Sequence, residues 1–209
     1  ALMHLHSDYF ANGQPIPAEF AFGKRGDPVA LSGNRSPQLA WKGAPAATRS
    51  FVLTCIDPDV PSRGDDVNQP GRSVPADLPR VEFVHWLMAN IPAECGELAA
   101  GSCSDGVTAH GKRAPFGPPG SVQGINDYTG WFAGDADMGG DYLGYDGPCP
   151  PWNDALLHHY HFKLHALDTA ALPLHHGFTL AELRAAMAGH VLAEAELVGT
   201  YSLNPALAG

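Results

Sequence analysis

The sequence predicts a mainly β chain: an antiparallel β-sandwich with one small helix in the C-terminal region and long loops. Three observations carry this reading. Several short segments are apolar and β-branched, or alternate in polarity. One stretch alone carries helix-start and helix-stop signals together. Glycine (24) and proline (19) make up about a fifth of the 209 residues, which is rich in turns but short of low complexity.

The elements follow in order. Leu39-Ala40-Trp41 reads as part of an early strand. Residues 50–56, Ser-Phe-Val-Leu-Thr-Cys-Ile, read as a buried strand that stops at Asp57-Pro58, because proline donates no ladder hydrogen bond. Residues 60–80 hold Pro61, Gly64, Pro70, Gly71, Pro75 and Pro79 in quick succession and read as loop. Val81 to Ile91 is a second strand, ended by Pro92. Residues 101–157 form a long Gly/Pro-rich span with little periodicity, a length that in a compact domain usually serves function. His158 to Leu167 alternates and is a third strand. Thr179 and Glu182 form a capping box, Phe178 and Leu183 a hydrophobic staple, and Gly189 stands where a C′ glycine belongs. Glu194 to Leu203 is the final strand.

Composition narrows the function. With Lys+Arg 12 against Asp+Glu 22, the net charge is −10, which repels nucleic-acid backbones. No run approaches the roughly 18 apolar residues of a membrane span. One domain covering 1–209 is expected, since no repeat or composition break marks a linker. Cys55, Cys95, Cys103 and Cys149 form no C-x-x-C pair, so a zinc ribbon is excluded, and they are either thiols or two bridges. The start, with His4 and His6 in place of an apolar core, is not a signal peptide. A cytoplasmic location is expected, or a periplasmic one if a leader has been removed.

Eleven histidines accompany this acidity. Strand alternation sorts some of them. Phe51, Leu53, Cys55 and Asp57 share one face; Phe83, His85, Leu87 and Ala89 share another. His158, Tyr160, Phe162 and Leu164 share a third, while His159, His161, Lys163 and His165 form an opposite, solvated face. Each inner face thus ends in polar groups. Asp57, His85, His158 and Tyr160 are therefore candidates for one pocket at the rim of a hydrophobic core. Singly, each has a plainer role: Asp57 caps a turn, and His85 and Tyr160 are bonded core residues. The remaining histidines read as solvated or locally bonded. Trp86 and Trp131 read as packing, with Trp131 also placed to line a pocket mouth.

Three ordered segments resemble the phosphatidylethanolamine-binding protein family, which includes the Raf kinase inhibitor proteins. Asp57-Pro58-Asp59-Val60-Pro61-Ser62-Arg63 is similar to its D-P-D-x-P-S-R signature. Glu82 to Asn90 is similar to its next strand. Gly147-Pro148-Cys149-Pro150-Pro151 followed by His158-His159-Tyr160 is similar to its G-x-x-P-P…H-R-Y segment, with His159 where arginine is usual. Ser36 to Trp41 and Ala195 to Tyr201 agree with the bacterial branch. The resemblance implies a sandwich with a pocket for small anions, phosphate or phospholipid head groups. Its ligand-binding residues would be Asp57, His85, Gly147, Pro148, His158 and Tyr160, supported by Asp59, Pro61 and Glu82. It implies no cofactor, and for eukaryotic members a kinase or protease partner. Open strand edges permit a homodimer, and bacterial relatives suggest one.

In this reading phosphate accepts hydrogen bonds from His85, His158 and Tyr160, and Gly147 lets the backbone approach closely. Asp57 bonds a histidine or meets an ethanolamine nitrogen. With histidine near its ordinary pKa of about 6.5, binding strengthens as pH falls from about 8 to 6. Two other classes remain. A hydrolase or metalloenzyme would use Asp57, Asp59, His85 and His158, although no G-x-S-x-G, P-loop or H-E-x-x-H is present. An interaction protein would dock an acidic or phosphorylated segment of a partner.

Overall fold

Alternation along 158–167 produces the strand at the centre of the molecule. In the computed structural model, which describes residues 2–207, eleven strands and two α-helices follow in order. They are β1 (His4–His6), β2 (Gln14–Pro15), β3 (Gly23–Arg25), β4 (Val29–Leu31), β5 (Leu39–Lys42), β6 (Ser50–Pro61), β7 (Arg80–Pro92), β8 (Glu97–Leu98), β9 (Val122–Gln123), α1 (Tyr128–Trp131), β10 (His158–Leu167), α2 (Leu180–Met187) and β11 (Val191–Tyr201). A six-stranded sheet runs β2-β11-β10-β6-β7-β9, and a three-stranded sheet runs β1-β5-β8. All pairs are antiparallel except β2 with β11. The main core joins the two sheets: Leu39 and Trp41 from the small one pack with Phe51, Leu53, Trp86, Met88, Phe162 and Leu164 from the large one. Each such fully buried side chain contributes about 1.5–3 kcal/mol. A second cluster, including Val52, Leu87, Leu167 and Leu183, fills the other face of the large sheet under α2. No helix among the described residues is long and apolar enough to cross a membrane.

The late helix forms as its sequence signals. Thr179 and Glu182 make both bonds of the capping box, and Phe178 and Leu183 are buried in one cluster. Gly189, with φ +82°, reverses the chain. The final strand therefore begins at Val191, three residues before the expected Glu194, and ends at Tyr201.

Three expectations are corrected. The first strand does not stop at Asp57-Pro58 but runs to Pro61. Its pairing with β10 ends at Ile56, so Pro58 lies where only β7 is a neighbour, and a register shift between Asp57 and Val60 absorbs it. The face assigned to the second strand fails beyond His85. The register passes from Cys55–Trp86 to Ile56–Val84, so His85 is the extra residue of a bulge. Trp86 and Met88 then enter the main core, and Leu87 and Ala89 turn to the helix side. The outward face of β10 is not solvated throughout. His165 is buried, opposite Val52 in the register, beside the cluster under α2. The four cysteines are free thiols.

Candidate functional site

The end of β6, the bulge in β7 and the start of β10 meet at one end of the sheet's central strands and bring Asp57, His85, His158 and Tyr160 together. All four are buried, and all four line a single cavity of about 200 Å³. Loops supply its other walls. Phe22, Tyr128, Trp131 and Phe132 form an aromatic side; Val60, Pro61, Arg63, Gly64, Val67 and Asn68 form another. Cys149, Pro150 and Pro151 close a third. The bulge is braced by the loop before α1: Asp127 accepts from Val84 N at 2.7 Å and its own N–H returns to Val84 O at 2.9 Å. This seats Tyr128 against His85 and Phe83, with ring centroids 5.7 and 5.1 Å apart.

His158 is held from both sides. Its Nδ1 lies 2.5 Å from Asp57 Oδ2, and its Nε2 lies 2.7 Å from Asp154 Oδ2. Asp154 is in turn clasped by Arg80, with bonds of 2.6 and 3.0 Å. The result is a buried chain of alternating charge, Asp57–His158–Asp154–Arg80. Burial alone would make the imidazole neutral, but the two carboxylates outweigh it and push its pKa up to about 9. Burial likewise opposes charge on Asp154, and the bonds from His158 and Arg80 hold it below the usual carboxylate range. The other oxygen of Asp57 accepts from Asp59 N at 2.7 Å.

His85 behaves in the opposite way. Burial depresses its pKa, against smaller opposing effects of Asp57, Asp146 and Asp127, so the ring is neutral near pH 7. Nδ1 sits 2.8 Å from the carbonyl oxygen of Asp146. A carbonyl only accepts, so Nδ1 carries the proton and Nε2 is a bare lone pair. Asp146 is fixed by three donors to its carboxylate, from Asn34 (2.8 Å), Asn126 (2.8 Å) and Lys112 (3.0 Å). No hydrogen bond among the described residues reaches His85 Nε2 or the Tyr160 hydroxyl, and both side chains line the cavity. The Tyr160 hydroxyl is kept protonated by burial and by Asp57.

The remaining expected residues separate. Pro61 lines the cavity. Asp59 stands just outside it, accepting from His159 N (2.8 Å) and Nδ1 (2.9 Å). The histidine found in place of arginine therefore points away from the cavity and braces the signature strand. Gly147 and Pro148 lie behind the wall. A Cβ on Gly147 would come within 2.1 Å of Phe20 O, and Pro148 O accepts from Phe22 N and Gly23 N. The close approach that requires glycine is to the 20–22 backbone. Glu82 is on the far face of the sheet, exposed and paired with Arg184 of α2 at 3.3 Å. Sequence reasoning missed Asp154, Arg80, Asp146 and Tyr128. Arg80, Asp146 and Tyr128 are joined to the site by contacts between segments distant in sequence, whereas Asp154 precedes His158 by four residues. His158 has no ring N–H left for a ligand, which does not fit the donor role expected of it; Tyr160 and Arg63 also line the cavity. No group of three or more His, Cys, Asp or Glu side chains among the described residues is placed to hold a metal.

Comparison with known proteins gives a consistent result. A UPF0098 protein of Methanothermobacter thermautotrophicus is 36% identical over 168 residues, 80% of this chain and 83% of that protein. The UPF0098 protein YbcL of Escherichia coli is 31% identical over 172 residues, 82% of this chain and 74% of that protein. The crystal structure of YbcL, described as a new member of the mammalian PEBP family, superposes with a TM-score of 0.69 at 28% identity. It covers 97% of this chain and 99% of the other. The PEBP homologue CT736 of Chlamydia trachomatis superposes with a TM-score of 0.65 at 30% identity, covering 96% and 97%. Residues 6–202 match the family model described as phosphatidylethanolamine-binding protein, and the chain belongs to that family.

Proposed function

We propose that this chain is a non-catalytic binding protein that takes small phosphorylated ligands, free or as phospholipid head groups, into the cavity at His85 and Tyr160. One observation carries the reading. Two side chains that are buried among the aromatic walls, His85 and Tyr160, both line the cavity, and neither His85 Nε2 nor the Tyr160 hydroxyl makes a hydrogen bond within the described residues. Polar groups that converge unpaired in a concave, mostly apolar site point to a ligand. Arg63 at the mouth supplies a positive charge, and the paired Asp57–His158 unit adds none of its own. A kinase or protease partner would be met at the surface around this mouth, where Trp131 is 56% exposed.

The hydrolase reading finds less support. His158 is saturated by two carboxylates and has no free nitrogen to act as a base. The Cys149 thiol in the cavity wall is pushed up to about 11 by burial, which keeps it protonated and a poor nucleophile.

Calorimetry with phosphoethanolamine tests the proposal. Saturable one-to-one binding is expected, and Tyr160→Phe should weaken it about tenfold through one lost hydrogen bond. The same variant should keep its stability, because the hydroxyl bonds nothing in the protein. No binding by the wild type, or unchanged affinity in Tyr160→Phe, would overturn the reading.

A further inference from the structure

The hydrogen-bonding character of the cavity wall is unusual for an anion site. His85 presents an acceptor, because its Nδ1 proton is committed to the Asp146 carbonyl at 2.8 Å. Asp57, on the same wall, is a carboxylate and also only accepts. His158 has both N–H groups turned onto Asp57 and Asp154. Tyr160, whose ring lies 5.2 Å from that of His85, is the one buried residue here with a hydroxyl free to donate. Tyr128 is unavailable, since its hydroxyl donates to Gly147 O at 2.5 Å. A fully deprotonated anion therefore meets two acceptors for one buried donor.

We infer that the cavity selects phosphomonoesters, whose P–O–H can donate to His85 Nε2, over phosphodiesters, which have no proton to give. This rests on the reading of the cavity as a phosphate-ligand site and names the ligand class within it. A monoester monoanion satisfies every atom at once: its P–O–H meets His85 Nε2, and a charged oxygen accepts from the Tyr160 hydroxyl. A diester of the same charge leaves His85 Nε2 facing an oxygen lone pair, unless the ring first takes up a proton. The groups around the ring are the carboxylates of Asp57, Asp127 and Asp146, the hydroxyls of Tyr128 and Tyr160, and the His158 imidazolium. Burial dominates this set and keeps the ring neutral near pH 7. The favoured ligand class is thus a free phosphorylated small molecule, and the diester of an intact phospholipid is disfavoured.

The test is calorimetric titration of the whole chain with methyl phosphate and with dimethyl phosphate, which carry no ammonium group. The second ionisation of a phosphomonoester lies near neutrality, at about 6, so affinities are compared per monoanion. At pH 7 methyl phosphate should bind about tenfold more tightly, the cost of an unpaired buried acceptor. The dimethyl phosphate affinity should rise as pH is lowered step by step below 6.5, because a proton taken up by His85 turns the ring into a donor, and the ratio should narrow. His85→Gln, whose amide can turn an N–H into the cavity, should bring the ratio towards one. Equal or tighter binding of dimethyl phosphate at pH 7 overturns the inference while leaving the phosphate site standing. A preference that persists in His85→Gln also overturns it. Binding of neither probe overturns the phosphate reading and the inference together.

Discussion

His158 spends both ring nitrogens on carboxylates, and this fixes its charge and its pH dependence. Its pKa rises on folding from an ordinary 6.5 to about 9. A group whose pKa is raised in the folded state contributes stability that is fully present below the unfolded value and lost as pH rises through the folded one. The window is therefore pH 6.5 to 9, and the shift corresponds to about 3 kcal/mol. Urea midpoints at pH 6, 7.5 and 9.5 should fall across this series, and the fall should be absent in His158→Asn. A wild-type profile parallel to that of the variant would show that the Asp57–His158–Asp154 unit is not charged as described. His85, with its pKa moved the other way, places any pH dependence of ligand binding on the acid side of 6.5. The sequence-based expectation of a rise from about pH 8 treated both histidines as ordinary. Both are buried, and their partners separate them: two carboxylates hold the charge on His158, whereas His85 bonds only a backbone carbonyl, and such partners are a property of the tertiary structure.

At the level of elements, the strands bearing the site were readable and their defects were not. The run Ser50 to Ile56 and the alternation His158 to Leu167 announce β6 and β10, and the inner face of β10 is as alternation predicts. The bulge at His85 leaves no mark in composition, because the extra residue is defined by its partner strand. Plain alternation therefore assigns Leu87 and Ala89 to the wrong face. Motif likeness carried Gly147 and Glu82 into the site, but the first serves packing against Phe20 and the second a surface ion pair. The wall formed by residues 62–79 depends on a residue no pattern singled out. Asn153 Nδ2 donates to Asp66 O (2.7 Å) and Arg72 O (3.1 Å), and its Oδ1 accepts from Asn68 N (3.0 Å). Asn153→Ala should cost about 2 kcal/mol through these lost bonds and speed proteolytic cleavage within 62–79. Cleavage at the wild-type rate would show that the wall is held by Arg80 and Asp154 alone.

For the whole molecule the proposed function raises the question of how an acidic protein would capture an anion. The charge of −10 comes from 22 carboxylates against 12 lysines and arginines, and the cations near the site are few and mostly committed. Arg80 is 10% exposed and bound to Asp154, and Lys112 is 14% exposed and bound to Asp146. Arg63 alone among the cavity-lining residues offers an exposed positive charge at the mouth. At about 10 mM salt the Debye length is about 30 Å, so an approaching phosphate feels the field of the whole molecule. At about 0.1 M it is about 10 Å, and the nearby arginine dominates. The association rate should therefore rise with ionic strength over this range, by about two- to fivefold, whereas for a basic anion-binding surface it falls. The dissociation rate, set inside the cavity by Tyr160 and His85, should change little. Trp131, half-exposed at the mouth, provides the fluorescence signal for stopped-flow mixing with phosphoethanolamine. An association rate that falls as salt is added would mean that Arg63 steers the ligand even against the net charge. Arg63→Ala should then remove the dependence.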